Sequence, residues 1–308
     1  MEGGPRRPRR QSPSDASGTV IAIFGPTASG KTAVAEAIAD AIPAEIVSAD
    51  SMQVYRGLPI LTNQPARVPA LVAIWSLDHE GSVAEYQRLA HRAVDDALAA
   101  GRVPILVGGT GLYLRAALAE LVLPPAPPPG ARQRWERLYD RLGPEQAHGA
   151  LSARDPEAAQ AIHPNDRRRV VRALELNEAG GSLAPPRDRL WSEETRHPTR
   201  IFGLDVPKPV LDQRILERTR EMFRNGVEDE VAQARSGPIS KTASQIIGLR
   251  EVGELAQGEA IDAIALRTRR YAAYQRKWMR RIPSIAAVSA DRPPGEAAAE
   301  ILAAARRA

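Results

Sequence analysis

Short, fully apolar runs alternate with longer mixed stretches through the first third of the chain. Val20-Ile21-Ala22-Ile23-Phe24 is apolar at every position, as a strand covered on both faces of a sheet must be. A Gly-rich loop follows, and Thr32–Ala41 then has helical character. Glu45-Ile46-Val47-Ser48 reads as a second strand, with Asp50 just beyond its end. Val83–Ala100 reads as a helix closed by Gly101. Val103-Pro104-Ile105-Leu106-Val107 is a third buried strand, running into Gly108-Gly109-Thr110-Gly111. Strands that alternate with helices predict an α/β fold with a parallel sheet covered on both faces.

The pattern then changes. Leu123–Gly130 (LPPAPPPG) is a Pro-rich break, and residues 131–180 read as several helices rich in Arg and Ala, without clear strands. Gly180–Arg189 is a loop, Arg200-Ile201-Phe202-Gly203-Leu204 returns to strand, and a long helical stretch follows from Pro209. The final segment, Pro293–Ala308, reads as a surface helix with a Pro start. This predicts a core domain from residues 18–124 and 200–308, interrupted by a helical insertion domain at 125–199. Residues 1–17 are Pro, Gly, Ser and Arg with little to bury, which predicts a disordered basic tail. The tail has no apolar region of the secretory kind, so the expected location is the cytoplasm.

Composition narrows the chemistry. The 308 residues contain no Cys, which excludes disulfides, Cys-based zinc and iron–sulfur sites, and a thiol nucleophile. No apolar run approaches the roughly 18 residues of a membrane helix. Net charge is +5, which permits an anionic partner. Of the 42 basic residues only Lys31, Lys208, Lys241 and Lys277 are Lys, so a Lys kept at position 31 invites a functional explanation.

Gly25-Pro26-Thr27-Ala28-Ser29-Gly30-Lys31-Thr32 matches the P-loop pattern at every fixed position, between a strand and a helix. Such a loop aims backbone N–H groups and a helix N-terminus at one phosphate cluster. Lys31 adds a compact charge there, and the Thr32 hydroxyl is placed to hold Mg²⁺. The signature is shared by nucleotide-binding and ATP-binding proteins, and by itself says only "polyphosphate". Enzymes that attack a γ-phosphate usually add a strand ending in a Mg²⁺-orienting Asp. Here the strand at 103–107 ends in Gly-Gly-Thr, and the comparable carboxylate is Asp50. At the carboxyl end of a parallel strand Asp50 faces the crevice where ligands bind, though an Asp capping a turn would sit there too. Thr110 falls on the same edge.

Two basic clusters suggest RNA. Arg168, Arg169 and Arg172 share a face of the helix after His163-Pro164-Asn165-Asp166. Arg267, Arg269, Arg270, Arg276, Lys277, Arg280 and Arg281 are interleaved with Tyr271, Tyr274 and Trp278, a mixture suited to phosphates and stacked bases.

Several stretches together resemble the tRNA dimethylallyltransferase (tRNA isopentenyltransferase) family. They are GPTASGKT at 25–32, SADSMQVYRGL at 48–58, SVAEYQRLA at 82–90, GRVPILVGGTGLYL at 101–114, HPNDRRRVVRALEL at 163–176 and ASQIIGLREV at 243–252. They run in the family's order over most of residues 18–282. The resemblance implies a P-loop NTPase-like core and transfer of a dimethylallyl group from dimethylallyl diphosphate to N6 of adenine 37, beside the tRNA anticodon. Asp50 would then be the general base on the N6 proton, with Ser51, Met52 and Gln53 near the extruded base, and Thr110 would hydrogen-bond at the reacting centre. Arg218 would join Lys31 on the diphosphate. The segments Arg168-Arg169-Val170-Val171-Arg172 and Gln245–Arg250, Gly248 included, would contact the anticodon stem-loop. The family also implies Mg²⁺ and a monomer. The chain departs from the family's usual pattern at 60–65, at 69–80, at Leu249 and at Ala273-Tyr274.

Two other classes share parts of this pattern. A P-loop small-molecule kinase would have the same start and would need ATP turnover on a small acceptor. A non-enzymatic RNA-binding module would leave Asp50 and the intact P-loop without a role.

Overall fold

The computed structural model describes residues 18–123, 128, 130–183 and 192–307. The tail at 1–17 and parts of the breaks at 123–130 and 180–189 lie outside the described residues. By contacts the chain divides into two compact units, one running to Glu120 and resuming at Glu193, the other spanning Leu121–Ser192.

The larger unit is a five-stranded parallel sheet. Its strands are β1 (Val20–Phe24), β2 (Ala44–Ser48), β3 (Val103–Gly108), β4 (Thr199–Asp205) and β5 (Ala286–Ser289), in the order β2-β3-β1-β4-β5. The all-apolar β1 lies in the middle, with Phe24 in register with Gly108 on one side and Gly203 on the other. The carboxyl ends of β1, β2 and β3 therefore emerge together. The 4-residue β5 is absent from the sequence pattern; its segment is too short to show a strand period and acquires its partners only by pairing with β4.

Helices α1 (Lys31–Ala41) and α2 (Val83–Ala99) connect successive parallel strands in opposite directions across the sheet. Right-handed crossovers therefore place them on opposite faces. Helix α3 (Gly111–Leu118) packs beside α2. The terminal helix, α12 (Pro294–Ala305), packs against α1 and buries Ala297, Ala298 and Ile301. It is thus a surface helix, as expected, with one face covering the core. Residues 193–198 belong with this unit because Arg196 and His197 both bond Asp95 of α2, at 2.9 and 2.8 Å. No helix among the described residues is long and apolar enough to cross a membrane.

The smaller unit is helical: α4 (Ala131–Leu142), α5 (Pro144–Ser152), α6 (Pro156–Ala161) and α7 (Arg167–Glu178). Tyr139, Leu151, Ile162, Val170, Val171 and Leu174 are among its core residues. Asp166 caps α7 by accepting the Arg169 N–H at 3.1 Å, which is why the helix starts where it does. The buried Glu175 carboxylate faces Arg172 at 3.1 Å and Arg132 at 3.7 Å.

The core unit continues with α8 (Lys208–Arg224), α9 (Val227–Arg235), α10 (Leu249–Glu254) and the 23-residue α11 (Gln257–Met279). Helices α8 and α11 pack on each other.

Candidate active site

The phosphate cradle forms where β1 hands over to α1. Gly30, the residue before α1, has φ +86°, a left-handed conformation that a side chain would strain. It turns the loop so that the first N–H groups of α1 are left for a ligand. Lys31 Nζ donates to the Pro26 carbonyl at 2.7 Å, and Arg218 of α8 donates through Nη2 to Thr27 Oγ1 at 2.8 Å. Burial lowers the Lys31 pKa to about 8; the Asp50 charge opposes that fall and the Arg218 charge adds to it. Burial also lowers the Arg218 pKa, again opposed by Asp50. Two desolvated cations thus converge on one spot. There Arg218 Nε is a buried donor with no partner, and Ser29 Oγ, against Gly25, is another buried atom without one. Unsatisfied donors of that kind are costly unless an anion completes them.

Asp50 stands at the end of β2. Its Oδ1 accepts the Met52 N–H at 2.9 Å, which closes the turn. The carboxylate is half-buried and faces the same cavity as Lys31, Thr32 and Arg218. That cavity measures about 490 Å³. Thr110, which precedes α3, sits across from Asp50's turn. Its Oγ1 accepts the Ser51 N–H at 3.2 Å and lies 3.2 Å from both the Ser51 and Tyr271 hydroxyls. Burial pushes the Tyr271 hydroxyl well above the usual phenol range, so it remains a neutral hydrogen-bonding group.

Thr32 and Asp50 offer oxygen donors on one wall, the chemistry Mg²⁺ prefers. Among the described residues no group of three or more His, Cys, Asp or Glu could hold a metal alone.

The structure gathers Thr27, Lys31, Thr32, Asp50, Met52, Gln53 and Arg218 on one cavity, as the sequence led us to expect. Gln53, however, is committed to holding the next loop: Nε2 donates to the Thr62 and Asn63 carbonyls at 3.2 and 2.9 Å. Glu230 of α9 holds that loop too, accepting the Ile60 and Leu61 N–H groups at 2.7 and 2.8 Å.

Several expected RNA contacts need correction. Val170 and Val171 lie in the core of the helical unit, at 0% and 2% exposure, because the face of α7 opposite the arginines must cover Tyr139 and Leu151. Their side chains cannot touch a ligand. Arg168 and Arg169 are exposed, whereas Arg172 is tied to Glu175. Gly248 is buried against Leu61 and donates its N–H to Glu251 at 3.1 Å, so it shapes a loop and does not face solvent. Gln245 and Arg250 do line an open cleft of about 640 Å³, with Arg235 and Arg267. The second Arg/aromatic cluster is not one strip. Arg267 pairs with Glu251 and Arg276 with Asp205, while Tyr271 turns into the active-site cavity. Helical spacing around α11 sends neighbours in sequence to different faces.

Gln275 is the site residue the sequence reading missed. It is 1% exposed and bridges two loops of the site. Its only signal was a polar residue four positions after Tyr271, on a helix that otherwise looked like an RNA-binding surface.

Comparison with known proteins shows which family the chain resembles. A family described as IPP transferase matches residues 53–282, and one described as isopentenyl transferase matches 18–69. A tRNA dimethylallyltransferase of Salinispora tropica is 43% identical over 283 residues, covering 88% of each chain. One of Thermobifida fusca is 41% identical over 293 residues, covering 89% of this chain and 91% of its own. The crystal structure of the full-length tRNA isopentenylpyrophosphate transferase of Bacillus halodurans is similar, with TM-score 0.67 and 32% identity. The match covers 94% of this chain and 97% of that one.

Proposed function

The chain belongs to the tRNA dimethylallyltransferase (IPP transferase) family, and we propose that Asp50, Thr110 and the P-loop cradle carry the family's reaction here. The protein transfers a dimethylallyl group from dimethylallyl diphosphate to N6 of adenine 37 in tRNA, releasing diphosphate. One observation supports the assignment above the others: a carboxylate, Asp50, and a two-cation cradle whose Arg218 Nε is unpartnered share one cavity.

The diphosphate lies against the N-terminus of α1, with Lys31 and Arg218 as its charge partners and Arg218 Nε finding its missing acceptor. The adenine N6 amine is a weak nucleophile because its lone pair is delocalised into the ring. Asp50 takes the N6 proton as the C–N bond forms, a contribution of about 10²–10⁴ in rate. The allylic C–O bond breaks, and the cradle stabilises the charge that builds on the departing diphosphate. Thr110 hydrogen-bonds at the reacting centre, held by Tyr271 and Ser51. Thr32, with Asp50 nearby, would hold Mg²⁺, which when bound supplies further charge to the diphosphate.

An adenine inside a stacked loop cannot reach this cavity, so it is extruded. Arg168 and Arg169 of the helical unit meet tRNA phosphates, and Gln245 and Arg250 bind RNA at their own cleft. The enzyme acts as a monomer in the cytoplasm. The test is incubation with unmodified tRNA and either dimethylallyl diphosphate or ATP, followed by mass spectrometry of the nucleosides. Dimethylallyladenosine should form with the allylic donor alone. ATP turnover on a small acceptor, with no modified adenosine, would overturn the reading.

A further inference from the structure

We propose that Gln275 is a positioning residue that locks the diphosphate cradle to the loop bearing Thr110, so that α11 sets the distance between donor and acceptor halves of the site. The inference rests on the reaction proposed above and concerns a residue outside the P-loop that acts through Thr27 and Gly109.

The geometry is specific to a carboxamide. Thr27 N–H, in the P-loop, donates to Gln275 Oε1 at 2.7 Å. Gln275 Nε2 donates to the Gly109 carbonyl at 2.9 Å. One planar group thus accepts from one loop and donates to the other, each bond near ideal length. The side chain is 1% exposed, so water cannot substitute for either bond without opening the core. Gly109 has no Cβ because a methyl there would collide with the Gln275 amide. Gly111 is likewise kept bare by the Trp278 ring. Tyr271, Gln275 and Trp278 follow at i, i+4 and i+7, so one stripe of α11 lies along the whole 109–111 turn.

Both anchored loops carry chemistry. Thr27 is also the acceptor for Arg218, so moving Thr27 moves the cation meant for the diphosphate. Gly109 precedes Thr110, whose hydroxyl is held from the other side by Tyr271. Backbone bonds alone do not tie the cradle to Thr110: β1 and β3 pair up to Phe24 and Gly108, and among the described residues no backbone hydrogen bond joins 25–30 to 109–111 beyond that pairing. Misplacement of reacting groups by about 1 Å can cost on the order of 100-fold.

Two substitutions test this against wild-type enzyme, whose own activity reports on the underlying reaction independently. Gln275→Leu removes both bonds at similar volume. Its folded fraction should lose about 10–100-fold in single-turnover rate with both substrates saturating. Donor affinity should fall and tRNA affinity should be unchanged. Gln275→Glu keeps the shape. As a neutral acid it can accept from Thr27 and donate to Gly109; as a carboxylate it can only accept, and it faces the Gly109 carbonyl oxygen. The ionisable groups around this wall are Tyr271 on its own helix, Lys31 on α1, Asp50 after β2 and Arg218 on α8. Lys31 and Arg218 favour the carboxylate, whereas burial and Asp50 favour the acid. Relative to wild type at each pH, the Glu variant should therefore regain rate as pH falls through the pKa of the introduced carboxyl, while the Leu variant should not. A Leu variant whose folded fraction reacts within about twofold of wild type, or a Glu variant that loses rate relative to wild type as pH falls, would overturn the proposal.

Discussion

Asp50→Asn isolates the general base, because the change removes a charge and almost nothing else. Asn Oδ1 can still accept the Met52 N–H, now at 2.9 Å from the carboxylate, so the turn after β2 should persist. The substitution has one electrostatic side effect, which the structure makes visible. Asp50 raises the Lys31 pKa against the lowering effect of burial, leaving it at about 8. A pKa of about 8 means that roughly nine-tenths of Lys31 is protonated at pH 7. Without Asp50 that pKa falls further, and Lys31 begins to lose its charge within the working range. The two effects separate by pH. Low pH favours the charged form of Lys31 in both proteins, so at pH 6 the loss of single-turnover rate should be about 10²–10⁴, equivalent to ~2.7–5.4 kcal/mol, with donor affinity little changed. At pH 8.5 donor affinity should fall as well. The assay is rapid-quench single turnover with saturating tRNA and labelled donor, paired with donor titration at both pH values. If Asp50 instead only oriented Mg²⁺, raised Mg²⁺ would rescue the variant at pH 6. If it only capped the turn, the melting temperature would fall while the folded fraction reacted normally. Near-wild-type chemistry at pH 6 would refute the base assignment.

Lys31→Ala should weaken donor binding and leave tRNA affinity intact; equal loss of both would point to unfolding. In the wild type, diphosphate affinity should decline as pH rises through about 8, with proton uptake on binding, because the bound anion favours a charged Lys31 whose free pKa burial has lowered; calorimetry in two buffers reads that uptake directly. Arg168→Glu with Arg169→Glu should weaken tRNA binding and reduce the slope of log affinity against log salt by about one unit for each phosphate no longer neutralised. An unchanged slope would return those residues to plain solvation. Val171→Ala, on the core side of the same helix, should lower the melting temperature and leave the salt slope alone.

The sequence by itself determined the local features: which runs become strands, where the P-loop turns, and which residue ends β2. An all-apolar run such as Val20–Phe24 has few options besides a central buried strand, and a Gly-rich loop matching a phosphate cradle at every fixed position has a single known geometry. Lys31, Thr32 and Asp50 were legible for that reason, because their roles follow from position at a strand end. The identity of α7's exposed face was only half legible. Charge marked Arg168 and Arg169, but whether Val170 and Val171 faced out with them depended on what α4 and α5 placed opposite. Tertiary structure alone decided Gln275. Its partners are 248 and 166 positions away, and a glutamine on an Arg-rich helix carries no local mark of burial. The same holds for the buried face of α12, a surface helix whose packing partner α1 only the tertiary structure supplies. Strand ends and loops are written in neighbouring residues. A buried amide joining two loops depends on the sheet order, which brings β1 and β3 side by side and lays α11 across the turns beyond them.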